Sequence, residues 1–188
     1  MNVVIVHGSS SKDKIEKKSM IKNKQHWFPW IKKKLEDREI QCDVPLMPES
    51  WEPKYNNWKK EFEKISVDEN SVLIGTIAGA VFLVRWLGET KKKIKKLILV
   101  APITGKEKCN DWLNKEYGDF ELDESIKERV GEVVIFFSDN DKNERLDTAK
   151  IYHKKLGGKL IELPGRGHFI EKYMGTYEFP ELLEEILK

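Results

Sequence analysis

Between Ser71 and Leu87 the chain reads SVLIGTIAGAVFLVRWL, an apolar run that breaks at Gly75 and Gly79. Its first part is short and uniformly apolar, as in a strand buried on both faces. The part after Gly79 resumes with helical spacing. The run reads as a strand, Ser71 to Ile74, that turns sharply into a helix, Ala78 to Leu87. A buried strand feeding directly into a helix belongs to a parallel sheet with helices packed on it.

The rest of the chain repeats that alternation. Strands are expected at Asn2 to Val6, Gln41 to Val44, Lys96 to Val100, Glu132 to Phe137 and Lys159 to Leu163. Helices are expected from His26 to about Arg38, where Trp27, Trp30, Ile31 and Leu35 recur at helical intervals, and around Tyr55, Trp58, Phe62 and Ile65. Further helices are Glu124 to Arg129 with Asp123 as N-cap, Leu146 to Leu156 closed by Gly157 and Gly158, and Phe179 to Leu187. The aromatic residues of the second helix read as core. Six strands alternating with helices, with no hairpin signal between them, specify an α/β three-layer sandwich: a parallel sheet of about six strands with helices on both faces. A length of 188 residues with 39% hydrophobic content makes residues 1–188 one expected domain.

Charge narrows the class of partner. The 34 basic and 32 acidic residues leave a formal net charge of +2, so no whole-molecule field favours nucleic acid or a membrane. Lys12, Lys14, Lys17 and Lys18, and again Lys91, Lys92, Lys93, Lys95 and Lys96, read as solvated surface because no aromatic platform is interleaved with them. Cys42 and Cys109 are too few for a disulfide framework and lack metal-ligand spacing, which fits a reducing cytoplasm. The start, MNVVIVHG, lacks the pattern of a signal peptide, and no apolar run approaches the length of a transmembrane helix. Two lysine- or aromatic-rich stretches without a clear period, Ser9 to Lys24 and Ile103 to Leu122, are expected to be irregular, the second lying over the strand ends.

In such sheets the ligand crevice lies beyond the carboxyl ends of the strands. His7 with Gly8, the turn at Ile77, the loop Asp139 to Asp141, and His168 all fall there. Their order, turn after the third strand, acid after the fifth and histidine after the sixth, is the nucleophile, acid, base order of α/β-hydrolases. In those enzymes the sharp turn is a G-x-S-x-G nucleophile elbow. Here its centre is Ile77, which has no lone pair to attack with and no proton to lose.

With VIVHG, WFPWIKKKL, LIGTIAGAVFLVRWL, LILVAP, FFSDND and LPGRGHF in hand, the chain resembles the small serine hydrolases of the YdeN and retinoblastoma-binding-protein-nine type over nearly its whole length. The resemblance implies Asp141 as the triad acid, with Asp139 as competitor, and His168 as the base. It implies an oxyanion hole from the backbone N–H of Ala78 and one just after His7 and Gly8, at Ser9. Where the family pattern usually reads GHSxGG, this chain has Thr76, Ile77 and Ala80. A β-branched residue at an apex needing positive φ is an outlier, so the turn is expected either to relax or to carry about 1–3 kcal/mol of strain.

The expectation is a hydrolase-family domain without its nucleophile, a non-catalytic or inactivated scaffold that keeps a ligand pocket. The alternatives are an altered scaffold into which Ile77 was introduced, a residual catalyst using His168 and Asp141 as a general-base dyad, and an ester or amide hydrolase with another nucleophile such as Thr76, Cys109 or Ser9 to Ser11. No cofactor or metal is expected. The expected partner is a small apolar ester- or amide-like ligand or a protein. His7 is expected to bond loop backbone, and His26 and His153 to be surface or helix-packing residues.

Overall fold

The computed structural model describes residues 1–9, 26–103 and 117–188. The expectations for Ser10, Ser11, Lys12 to Lys18, Cys109 and Trp112 lie outside the described residues. Within them the strands are β1 (Asn2–Val6), β2 (Gln41–Asp43), β3 (Val72–Thr76), β4 (Ile94–Val100), β5 (Val130–Phe137) and β6 (Lys159–Glu162). They form one sheet in the order β2-β1-β3-β4-β5-β6, every neighbouring pair parallel. β3 runs two residues further than its pattern predicts and so delivers the chain to the turn at Ile77 without an intervening loop.

The helices are α1 (Phe28–Glu36), α2 (Tyr55–Phe62), α3 (Ala78–Thr90), α4 (Asn143–Leu156), α5 (Glu171–Met174) and α6 (Pro180–Leu187), with a 3-10 turn at Glu124–Glu128. α4 begins three residues before Leu146, because the apolar spacing used to place it marks only the face it buries. α5 buries none of its side chains and so gives no periodic signal. Asp123 caps the 3-10 turn as its sequence position suggests, its side chain accepting from the Ser125 N–H.

Alternation along each strand divides the core into two layers. Val4, Val6, Leu73, Leu97, Leu99, Val133 and Ile135 face α2, α3 and α4, where Tyr55, Trp58, Phe62, Phe82 and Trp86 are buried. Val3, Ile5, Val72, Ile74, Ile98, Val100, Val134 and Phe136 face α1 and α6, with Trp27, Phe28, Phe179 and Leu182. A parallel sheet covered on both faces needs this double burial, which is why its strands are apolar at nearly every position.

Lys96 departs from the surface reading of its cluster. Its side chain is only 2% exposed, its Nζ lying 2.7 Å from Glu132 Oε2 and donating to the Glu185 carbonyl at 2.6 Å. As the third residue of β4 it points under α6, and a buried ammonium is tolerated only with such partners. Among the described residues no helix is long and apolar enough to cross a membrane.

Candidate active site

The sheet order places β2 on one side of β1 and β3 on the other, so the connections after β1 and after β2 run in opposite directions, and the carboxyl ends of β1 and β3 flank the switch point at which ligands bind in such sheets. The register pairs Val6 with Gly75, which brings Gly8, two residues past Val6, level with Ile77, two past Gly75. A Cβ built on Gly8 would stand 2.9 Å from both Cβ and Cδ1 of Ile77. The isoleucine side chain therefore lies directly against Gly8, at the switch point between β1 and β3.

The sharp turn is kept. Ile77 has φ 54° and ψ −116°, and α3 starts at the next residue. Its carbonyl accepts from the Ala80 and Val81 N–H groups at 3.1 and 3.4 Å. The flanking glycines are required by proximity. A Cβ at Gly75 would come within 2.7 Å of Ala80 backbone, and one at Gly79 would overlap the Val6 carbonyl. The first turn of α3 thus sits on β1, and Ile77 is held in a conformation that a β-branched residue otherwise avoids. Thr76 is buried at the end of β3, and Ser9 is half-buried.

The acid and base loops are laced together residue by residue. Asp139 Oδ1 accepts from the Gly165 N–H at 2.7 Å, Ser138 Oγ from the Arg166 N–H at 2.9 Å, and Asn140 Oδ1 from the Gly167 N–H at 2.7 Å. The next pair is Asp141 and His168, with Oδ2 and Nδ1 2.8 Å apart. Asp139 is therefore committed to loop backbone, and the carboxylate on the His168 ring is that of Asp141. Burial pushes the Asp141 carboxyl up, but the hydrogen bond and charge of His168, the Lys142 N–H and Arg145 outweigh it and hold it below the usual range.

The histidine loop is carried back across the sheet. Trp27 Nε1, just before α1, donates to the Phe169 carbonyl at 3.1 Å, and Phe169 itself stacks on Phe179 with φ 53°. A residue following β6, at one edge of the sheet, is thereby tied to the segment that leads into α1 beside β1.

Two other histidines stand at this end. His7 Nε2 accepts from the Met47 N–H at 3.0 Å, so its Nδ1 carries the proton and donates to the Gly8 carbonyl at 2.7 Å. Burial lowers its pKa, and this neutral ring joins β1 to the loop after β2. His26 stacks on Phe28 with ring centroids 3.6 Å apart. Burial, above all, lowers its pKa to about 3. Spacing alone offered no signal for this, because His26 precedes the periodic part of α1. Burial pushes the Cys42 thiol up to about 12, which removes it as a nucleophile. Among the described residues no three His, Cys, Asp or Glu side chains converge to hold a metal ion.

A laced acid–histidine pair and a strand-to-helix turn at positive φ thus stand beyond the carboxyl ends of one parallel sheet. The serine hydrolase family model matches residues 19–186. The chain belongs to the serine hydrolase family. It is 24% identical over 154 residues to the Bacillus subtilis protein YdeN, covering 78% of this chain and 79% of that one. The crystal structure of the B. subtilis ydeN gene product superposes with a TM-score of 0.83 at 22% identity, covering 99% of this chain and 96% of that chain. Est1E from Butyrivibrio proteoclasticus, in a structure with ferulic acid bound, superposes at 0.65 with 13% identity over 100% of this chain and 90% of its own. These superpositions place the family member in the α/β-hydrolase fold.

Proposed function

We propose that this chain is a serine-hydrolase scaffold that no longer forms an acyl-enzyme and instead holds a ligand in the crevice between β1 and β3. The observation that carries the reading is Ile77, which occupies the apex of the elbow at φ 54° with its side chain against Gly8. Acyl transfer needs a nucleophilic oxygen or sulfur at that point, and a hydrocarbon supplies neither. The backbone N–H groups of Ala78 and Ser9 are the assigned oxyanion donors, Gly8 and Thr76 complete the pocket floor, and Asp141 and His168 survive as a dyad. The ligand on this reading is a small apolar ester- or amide-like molecule, with a protein segment as the alternative occupant, and the setting is a reducing cytoplasm.

A second reading is favoured by one contact, the 2.8 Å approach of Asp141 to His168. A dyad so held acts as a general base on a bound ligand or a water and contributes about a hundredfold or more with the right geometry.

Hydrolysis of an activated aryl ester separates the two. The chain as it stands, Ile77→Ser, and Ile77→Ser with His168→Ala are compared. The first reading expects turnover only from Ile77→Ser. His168-dependent turnover by the unaltered chain would overturn it in favour of the second.

A further inference from the structure

His168 is one of the two central residues of a tight turn whose entry and exit are held by different parts of the fold. The Phe169 N–H donates to the Arg166 carbonyl at 3.1 Å, so Arg166, Gly167, His168 and Phe169 form the turn, with Gly167 at φ 51°. Its entry is fastened to the loop after β5, through Ser138 Oγ on the Arg166 N–H and Asn140 Oδ1 on the Gly167 N–H. Its exit is fastened from the far end of the chain. Trp27 Nε1 donates to the Phe169 carbonyl at 3.1 Å, and both residues are buried.

Phe169 makes that second fastening matter. It stands at φ 53°, a region that bulky side chains avoid, so its own preference is to swing back to negative φ. Backbone of this kind persists only where the surroundings over-determine it. Two contacts do so here. The ring stacks on Phe179, with centroids 5.4 Å and planes 17° apart, and Phe179 is in turn met edge-on by Trp27 and Phe136. That packing fixes the side chain, whereas the indole N–H on the carbonyl fixes the peptide group. A buried carbonyl that lost this donor would turn toward another, and the left-handed φ would relax with it. The turn would then carry the His168 ring away from Asp141. Asp141 would not follow, because its Oδ1 is bonded to the Lys142 N–H and to Arg145 Nη1.

We propose that Trp27 is a positioning residue for His168: its indole N–H locks Phe169 in the left-handed conformation that keeps the His168 ring 2.8 Å from Asp141 Oδ2. The dyad is thus completed by the segment that leads into α1, although Trp27 acts only through backbone and touches neither member of the pair. The hydrolase-scaffold reading above is needed for what the dyad does to a ligand; the geometry of the pair stands apart from it.

Proton NMR of the full chain, labelled with nitrogen-15 and held at neutral pH, tests the lock. The His168 Nδ1–H, bonded to a buried carboxylate, is expected as a downfield proton protected from water, assigned by its loss in His168→Gln. Trp27→Phe keeps an aromatic ring in the core and removes the donor. It is expected to abolish that signal while circular dichroism shows a folded chain. Ile31→Ala opens a cavity in the same core layer without touching the Phe169 carbonyl and should keep the signal. A signal retained in folded Trp27→Phe overturns the proposal, and so does its equal loss in Ile31→Ala. If Trp27→Phe does not fold, hydrogen exchange in the unaltered chain decides: a Trp27 indole N–H that exchanges as slowly as the amides of β3 and β4 supports the lock, and fast exchange overturns it. As a second readout, Ile77→Ser with Trp27→Phe should hydrolyse an activated aryl ester at least about tenfold more slowly than Ile77→Ser alone, with the loss in kcat and little change in KM. Equal kcat values overturn the positioning role. If Ile77→Ser itself does not turn over while the Nδ1–H signal depends on Trp27, the hydrolase-scaffold reading fails and the positioning role stands.

Discussion

Ile77 sits at the apex with two costs to bear, a positive φ and a close neighbour in Gly8. Strain of about 1–3 kcal/mol is the usual size for a residue held in such backbone. It persists because the surroundings allow little else: α3 begins at Ala78, and Gly75 and Gly79 leave no room for the backbone to move away. The contact with Gly8 gives a testable coupling. Gly8→Ala should destabilise the chain by about 1–3 kcal/mol, because its new methyl meets a branched side chain at 2.9 Å. In an Ile77→Ser background the contact with Cδ1 is removed while that with Cβ stays, so part of the cost should vanish, giving a coupling of about 1 kcal/mol in a denaturant double-mutant cycle. Additive effects would show that Ile77 rotates away freely and does not fill the crevice mouth.

At the level of elements, the site depends on two loops after β5 and β6 that share hydrogen bonds position by position. Asn140 holds the Gly167 N–H immediately before His168. Its loss removes two hydrogen bonds, this one and that from Ser138 Oγ, and leaves the buried Gly167 N–H unpaired, a change of about 1–3 kcal/mol. Asn140→Ala should therefore lower stability by that amount in urea unfolding. It should also reduce the activity expected of Ile77→Ser by lowering kcat more than it raises KM, since the ring is displaced and the pocket floor is untouched. An unchanged kcat would mean that His168 is held in place without Asn140. The sequence showed Asp139 and Asn140 as turn formers; their cross-loop role is a matter of two loops meeting, which no local spacing encodes.

For the molecule as a whole, acid is the condition that should find its weak points, in two windows. His26 has its folded pKa lowered to about 3. Below about 6.5 the unfolded chain takes up a proton that the folded chain refuses, so folding stability falls progressively from there down to about 3. The loss is on the order of 1–2 kcal/mol by pH 5. His26→Phe keeps a stacking partner for Phe28 and should flatten the stability profile between pH 6.5 and 5, as read from Tm against pH. A profile unchanged by that substitution would show that His26 protonates freely in the folded chain. The second window lies below about pH 4. Burial opposes ionisation at Asp141, Glu89 and Glu185, yet their hydrogen-bonded partners win and hold them low; at Glu132 the bonds from Lys159 and Lys96 dominate. Stability from these carboxylates is present above their unfolded values and is lost as pH falls through the folded ones.

The sequence by itself determined the alternation of strand and helix, the two-sided burial of the sheet, the aromatic core of α2 and the position of the elbow with Ile77 at its centre. These are legible because period, glycine spacing and side-chain chemistry are properties of neighbouring residues. Strand ends shifted by one or two residues, and α5 gave no signal because it buries nothing. Only the tertiary structure decided that Asp141, and not Asp139, meets His168, that Lys96 is buried, that His26 stands among the site's histidines, and that Trp27 closes on the carbonyl of the residue after His168. Each of those depends on which elements come together in space. Long-range contacts of that kind are set by sheet order and loop packing, and the residues that make them carry no mark in the local sequence.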